Sequence, residues 1–190
     1  DGYVVSGGNF HGQPLAVAAD YLGSALCSLA NISERRIARL VSGTDGLPLF
    51  LTPEGGLNSG LMLVQYTAAA LASECKVLAH PAGVDTVPTS ADQEDHVSMS
   101  TIAARKAREI ALNVANVLAI EYFTAAQALE LLGEPERLSP SAAAAMALLR
   151  TRVEVVAEDR EMAPDIAAAL ELILSGELVR TVENVTGELK

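Results

Sequence analysis

An all-α fold organised around one very long central helix is what this sequence predicts, and three observations carry the prediction. Ala and Leu dominate a chain of 190 residues that is 50% hydrophobic, only 4% aromatic and free of Trp, a composition that suits helices because Ala loses no side-chain freedom in them. From about Asp95 to Leu132 there is neither proline nor glycine. As a helix that run would be a rod on the order of 55 Å long, and a rod of that length needs neighbours on several sides. The breakers are gathered instead into short stretches between apolar-periodic segments, which is the pattern of a helical bundle.

Taken in order, Gln13-Pro14-Leu15 opens a helical pattern running to about Leu29, with Pro14 in the first turn, where its missing N–H costs little. Ser33 reads as the N-cap of a second, shorter helix ending near Val41. Residues Ser42 to Gly56 hold four glycines and two prolines and read as a loop. Asn58 or Ser59 can cap the next helix, which runs to Leu78 with Leu61, Val64, Ala68, Leu71 and Leu78 as its buried stripe. Pro81 to Ser90 is a second loop. It leads into Asp92-Gln93-Glu94-Asp95, whose carboxylates suit the positive end of the long helix, so that helix capping is what the cluster suggests by itself. Gly133-Glu134-Pro135 ends the long helix, Ser139-Pro140 restarts one to about Val156, and a last helix covers Asp165 to about Leu174, with a frayed tail after Gly176. One helical unit over residues 1–190 is the expected partition, with a helical core at 12–132 and C-terminal helices at 139–175.

A net charge of −11 with thirteen Lys and Arg residues argues against nucleic acid, whose binding relies on cationic side chains to displace counterions. No stretch of about 18 uninterrupted apolar residues is present, and the opening DGYVVSGGNF has neither the basic head nor the apolar run of a signal peptide. Membrane and secretory readings lose support, and a cytoplasmic location is expected. Cys27 and Cys75 form no CxxC pair, which leaves them as core or near-surface thiols. No metal is expected. His11, His80 and His96 show no catalytic or ligand spacing and read as structural hydrogen-bonding residues. The first residue is Asp and the chain opens in what reads as a turn, so its start is expected to be a processing or engineered boundary.

Two segments stand out chemically. Ser6-Gly7-Gly8-Asn9-Phe10-His11-Gly12 is a Gly-rich turn ahead of a helix, able to present backbone N–H groups to an anion or simply to make a tight connection. Thr89 to Met99 crowds three carboxylates and an amide together. With SERR at 33–36, GLNSGLMLVQYTAAALASE at 56–74, HPAGVD at 80–85 and TSADQEDHVSM at 89–99, the order and spacing of these motifs resemble the aromatic amino-acid ammonia-lyase family over roughly residues 1–130. Beyond Leu132 the likeness is one of helical character alone.

The resemblance implies a long-helix bundle of that family's type. It also implies an enzyme that eliminates ammonia from an α-amino acid through a methylidene-imidazolone electrophile, built from an internal Ala-Ser-Gly tripeptide. The Ser-Gly pairs here, at Ser6, Ser42, Ser59 and Ser175, follow Val5, Val41, Asn58 and Leu174, so the electrophile is expected on an N-terminal lyase segment outside this chain, and this chain alone is expected to be inactive. By the same resemblance Phe10 is an aromatic wall beside electrophile and substrate, and Glu94 is a catalytic residue facing the substrate side chain. A carboxylate there suits an imidazole, which can donate a charge-assisted hydrogen bond to it. Against a phenyl ring it would lose water without gaining a partner. Met62 and Ser90 stand where phenylalanine-specific members have Lys and Glu, and Gln93 helps shape the same pocket. L-histidine is therefore the expected substrate and urocanate the product, in a homotetramer with sites shared between subunits. Asp92, commonly Asn in histidine-specific members, is a departure that adds negative charge beside Glu94. The alternatives are a tyrosine or phenylalanine lyase or aminomutase, and a catalytically silent helical oligomerisation module.

Overall fold

A computed structural model describes residues 2–5, 7 and 10–189. Its helices are α1 (Gln13–Leu40), α2 (Met62–Leu78), α3 (Ser100–Leu132), α4 (Pro140–Arg150), α5 (Ala163–Leu174) and α6 (Glu177–Thr186), with a 3₁₀ turn at Pro135–Arg137. Among the described residues there is no β-strand, only three isolated bridges within loops. The all-α expectation agrees with this, and α3, with 33 residues, is about 50 Å long at 1.5 Å per residue.

Helices α1 and α3 run parallel and α2 runs antiparallel to both. Near the start of α1, Gly12 meets Ser98 and Ser100, and farther along Gly23 meets Ile110. Near its end, Ser33 donates to Glu121 at 2.6 Å and Arg36 forms an ion pair with the same carboxylate. Small residues make the close approach feasible. Ala16, Gly23 and Ala30 of α1 and Ala103 and Ala107 of α3 are all buried, and a Cβ on Gly23 would stand 3.0 Å from Ile110 Cδ1. At the far end of α2, Asn113 donates to Glu74 at 2.8 Å and Lys106 to the His80 carbonyl, while Gln65, near its start, donates to Glu34 at 2.9 Å.

The first half of α3 buries one stripe, Ala103, Ala107, Ile110, Val114 and Val117, at the three-and-four spacing of an amphipathic helix. Beyond Val117 burial extends around it, with Ala119, Ile120, Phe123, Thr124, Ala126, Gln127 and Ala128 also enclosed. Here the 42–61 loop contributes Leu47, Leu51 and Leu61, and α4, α5 and the segment between them contribute Leu149, Val153, Val156, Ala169 and Leu172. Gln127, fully enclosed, pairs with the backbone of Val156 as a strand neighbour would: its amide N–H donates to the carbonyl at 2.9 Å and its Oε1 accepts from the N–H at 3.0 Å.

Five local expectations are corrected. The two helices expected over Gln13–Leu29 and Ser33–Val41 are one continuous helix. Ser33 is buried within it, and its hydroxyl serves Glu121 instead of a helix start. Helix α2 begins at Met62 without a side-chain cap. Asn58 accepts from the Asp159 N–H at 3.2 Å, and the Asp159 carboxylate takes the Ser59 and Gly60 N–H groups, each at 2.8 Å. Helix α3 begins at Ser100, not Asp95, with Met99 at its N-cap, so the 92–95 carboxylates do not cap it. Helix α4 stops at Arg150, and the tail beyond Gly176 is helix α6. The restart at Ser139-Pro140 holds, with Ser139 accepting from the Ala142 N–H at 3.2 Å.

One face of α1 is left uncovered. Leu15, Ala18, Leu22, Ala25, Leu29 and Ile32, spaced as alternating threes and fours, are exposed, and α1 is the one described helix long and apolar enough to cross a membrane by length and composition.

Replacing Gln127 by Leu should destabilise the fold by about 2–4 kcal/mol, because it leaves both the N–H and the C=O of Val156 buried without partners. Chemical denaturation of the two proteins measures this. A loss below about 0.5 kcal/mol would mean that Val156 finds other partners. A second expectation concerns Tyr122, whose hydroxyl donates to the Ala145 carbonyl. Burial pushes its pKa from 10.0 up to about 12. The neutral phenol is therefore favoured in the folded state, and the stability this gives is complete below pH 10 and lost as pH rises from about 10 towards 12. Urea midpoints across that window should fall for the parent and fall less for Tyr122→Phe.

Candidate functional site

Residues singled out by the sequence lie at two ends of the three-helix unit. Glu94, Gln93 and Ser90 are on the exposed loop ahead of α3, and Phe10, 91% exposed, is on the arm ahead of α1. Because α1 and α3 are parallel, these two segments meet. His11 Nε2 is 2.8 Å from the His96 carbonyl oxygen and the two imidazole rings stack 5.3 Å apart. Gly12 packs so closely that a Cβ would stand 2.3 Å from Ser100 Oγ. Met62 is elsewhere. It opens antiparallel α2, whose length of about 25 Å at 1.5 Å per residue separates it from the end where Phe10 and Glu94 lie.

The loop bearing Glu94 is shaped by its backbone. Glu94 donates its N–H to the Thr89 carbonyl at 3.2 Å and accepts from the Thr89 N–H at 3.0 Å. The four residues between are turned back by three consecutive left-handed positions, Ser90 (φ 53°), Ala91 (φ 52°) and Asp92 (φ 67°). For L-residues such a run costs about 1–2 kcal/mol per residue, least for Asp, whose short polar side chain tolerates the conformation. Asn shares that tolerance, so the Asp92 departure conserves the backbone requirement while changing the charge. The base of the loop is held by Thr86, whose hydroxyl donates to the Val97 carbonyl at 3.0 Å and accepts the Val97 N–H at 2.8 Å. Ahead of it, Asp20 accepts the Ala82 and Gly83 N–H groups at 3.1 and 2.6 Å. Both the Cα position and the side-chain direction of Glu94 are set, while its carboxylate remains open to solvent.

Two concave surfaces lie away from this loop. One, of about 650 Å³, lies between the start of α2 and α5, among Leu63, Thr67, Met162, Ile166 and Leu170, with Asp159 and Arg160 at its polar edge. The other, of about 600 Å³, is bordered by Ile32, Arg35, Arg36, Arg39 and Glu121. Its arginines are engaged: Arg35 by Glu34, Arg36 by Glu121 and Arg39 by Asp45. The bond to Glu121 pushes the Arg36 pKa up. Cys27 and Cys75 are buried together in the cluster that includes Ile110 and Val114, where burial pushes the Cys75 thiol up. Among the described residues no group of three His, Cys, Asp or Glu side chains could hold a metal ion.

Residues 1–151 match the model of the aromatic amino acid lyase family. The chain belongs to the aromatic amino acid lyase family. Its relatives include the histidine ammonia-lyase of Symbiobacterium thermophilum, 60% identical over 191 residues that take in all of this chain and 38% of that protein. That of Alkaliphilus oremlandii is 57% identical over 96% of this chain and 36% of its own length. Among solved structures, histidine ammonia-lyase from Trypanosoma cruzi superposes with a TM-score of 0.91 at 46% identity, covering 97% of this chain and 36% of that one. Tyrosine aminomutase from Streptomyces globisporus gives 0.92 at 38% identity, covering 99% and 36%. The chain thus spans little more than a third of the length of the relatives it matches. The aminomutase superposes as well as the lyase does, so over this matched third the backbone alone does not separate the two.

Sequence reasoning missed the Thr86 tie, which closes a loop across 11 residues, and the His11–His96 contact, which joins residues 85 apart in the chain. The run of left-handed positions had a faint signal only in Asp92, a residue type that tolerates that region.

Opening the Thr86 tie by Thr86→Val should leave the Val97 N–H and C=O without that partner. Hydrogen exchange of the 89–97 backbone should then be roughly tenfold faster or more, with α3 unchanged. Equal exchange in the two proteins would show that the loop is held without Thr86.

Proposed function

We propose that this chain is part of a histidine ammonia-lyase, which eliminates ammonia from L-histidine to give urocanate. The observation that carries the reading is the 52–60% identity, across nearly the whole chain, to relatives named histidine ammonia-lyase. Glu94 supports it independently. Its carboxylate is exposed on a loop whose backbone is fixed, and it would accept an imidazole N–H in a charge-assisted hydrogen bond. Phe10, on the arm joined to that loop, would lie against the substrate's ring, and Gln93 and Ser90 would complete the polar wall. These residues suit a site whose remaining parts come from other protein: an almost fully exposed aromatic ring and an exposed carboxylate lie at one end, uncovered by any of the described residues.

The methylidene-imidazolone electrophile, assigned by family resemblance to an Ala-Ser-Gly tripeptide on an N-terminal lyase segment, supplies the activation that lets ammonia leave. The roles proposed here for Phe10 and Glu94 are to bind and orient the amino acid, and for Glu94 also to hold a proton at the imidazole. A homotetramer is part of the proposal. Met62 lies the length of α2 away from Glu94, so it reaches a shared pocket only if another copy brings its own α2 there. The exposed Leu15-to-Ile32 seam on α1 offers apolar surface for such packing.

In the complete lyase, Glu94→Gln should lower kcat/KM for L-histidine by roughly 10- to 100-fold, the loss of one charge-assisted hydrogen bond of about 1.5–3 kcal/mol, read from urocanate absorbance. Unchanged kinetics would remove Glu94 from the site. A preference for tyrosine or phenylalanine in the parent enzyme would replace the substrate.

A further inference from the structure

The His11 side chain has its tautomer set by its two neighbours. The Gln13 backbone N–H can only donate, and it points at His11 Nδ1 at 3.3 Å. The His96 carbonyl can only accept, and it lies 2.8 Å from Nε2. Of the two imidazole tautomers only the Nε2–H form suits both neighbours, with Nδ1 as the acceptor and Nε2 carrying the hydrogen. Each bond does a different job. Gln13 is the first residue of α1, and its N–H is one of the orphan donors of the helix start, where Gly12 offers no side-chain cap. The Nδ1 bond is thus a helix cap. The Nε2 bond reaches across 85 residues to the loop that carries Glu94, and ring stacking on His96 reinforces it.

We propose that His11 is a positioning residue, whose Nε2–H bond to the His96 carbonyl sets the distance between Phe10 and Glu94 across the substrate site; this rests on the lyase reading above. Phe10 is bonded to His11, and Glu94 is two residues from His96, with its own backbone closed onto Thr89. The chain from aromatic ring to carboxylate therefore passes through one imidazole. Gly12 keeps the adjoining backbone within contact of Ser98 and Ser100, so the arm has no slack to replace the bond by another route.

The two jobs can be separated, because Gln reproduces the reach of Nε2 and Asn that of Nδ1. In the complete lyase, His11→Gln should keep kcat/KM for histidine within about threefold of the parent while losing the helix cap and lowering Tm. His11→Asn should keep the cap and Tm but lower kcat/KM about tenfold or more. Combining His11→Asn with Glu94→Gln should add little to the loss from Glu94→Gln alone. A merely structural role predicts the opposite ranking, with activity following Tm, and that ranking, or equal activity in both variants, would overturn the proposal. Imidazole ¹⁵N shifts of His11 test the clamp without reference to activity: a Nδ1–H signature would overturn it even where Glu94→Gln behaves as expected. An inert Glu94→Gln accompanied by the expected Nε2–H signature would instead remove the lyase reading of Glu94 and leave the contact in place.

Discussion

The close approach of α1 and α3 along a seam of small residues is the constraint from which the rest of the molecule follows. Two helices carrying Leu or Phe at Ala16, Gly23, Ala30, Ala103 and Ala107 would be pushed apart, and the tight fit at Gly23 against Ile110 shows how little clearance there is. With the axes close and parallel, the arm before α1 and the loop before α3 must emerge at the same end. That is why the segments bearing Phe10 and Glu94, 84 positions apart in the chain, meet at His11 and His96. It is also why the outward stripe of α1 is bare: the helix turns its smallest residues inward and leaves its larger apolar ones outside.

The polar groups complete this arrangement with a consistent logic. Where backbone polar groups are left without regular partners, an acidic or amide side chain from a distant element takes two of them at once: Asp20 accepts the Ala82 and Gly83 N–H groups, Asp159 the Ser59 and Gly60 N–H groups, and Gln127 pairs with both the N–H and the C=O of Val156. Each pairing joins a loop to a helix or to another loop. At Val156, where both groups are buried, leaving them unpaired would cost about 1–3 kcal/mol apiece. Gly60 shows the demand on the path of such a loop. At φ +54° with the Phe50 carbonyl only 2.4 Å from a hypothetical Cβ, no other residue fits without moving the backbone.

Helix existence was legible in the sequence wherever periodicity ran long, as in α3 and α2, because the signal is a property of one segment. The misread boundaries share a physical cause. Ser33 has every local mark of an N-cap, yet Glu121, 88 residues away, claims its hydroxyl, and the helix runs through it. Asp92 to Asp95 has the local chemistry of a helix start, but the Thr86 and His11 ties hold the chain in a loop until Ser100. A local pattern states what a residue can do, and a nonlocal partner decides which of those options is used. The proposed site residues rest on motif resemblance and not on capping or periodicity; the contact that joins their two segments was not legible at all.

Strain at the Glu94 loop completes the argument about why its geometry is specific. Three non-glycine residues in the left-handed region would relax in a free peptide, and the molecule sustains them because Thr89, Thr86 and His11 hold the loop at three places. Glycine at Ser90 or Ala91 would remove most of the conformational cost, but it would also widen the set of accessible backbone states and loosen the direction of the Glu94 side chain. On the proposed reading, in which this carboxylate meets an imidazole edge, a fixed backbone at Glu94 would offset part of that strain. The left-handed turn, the clamp at His11 and the bare aromatic ring of Phe10 thus describe one preorganised surface, shaped before any substrate or partner arrives.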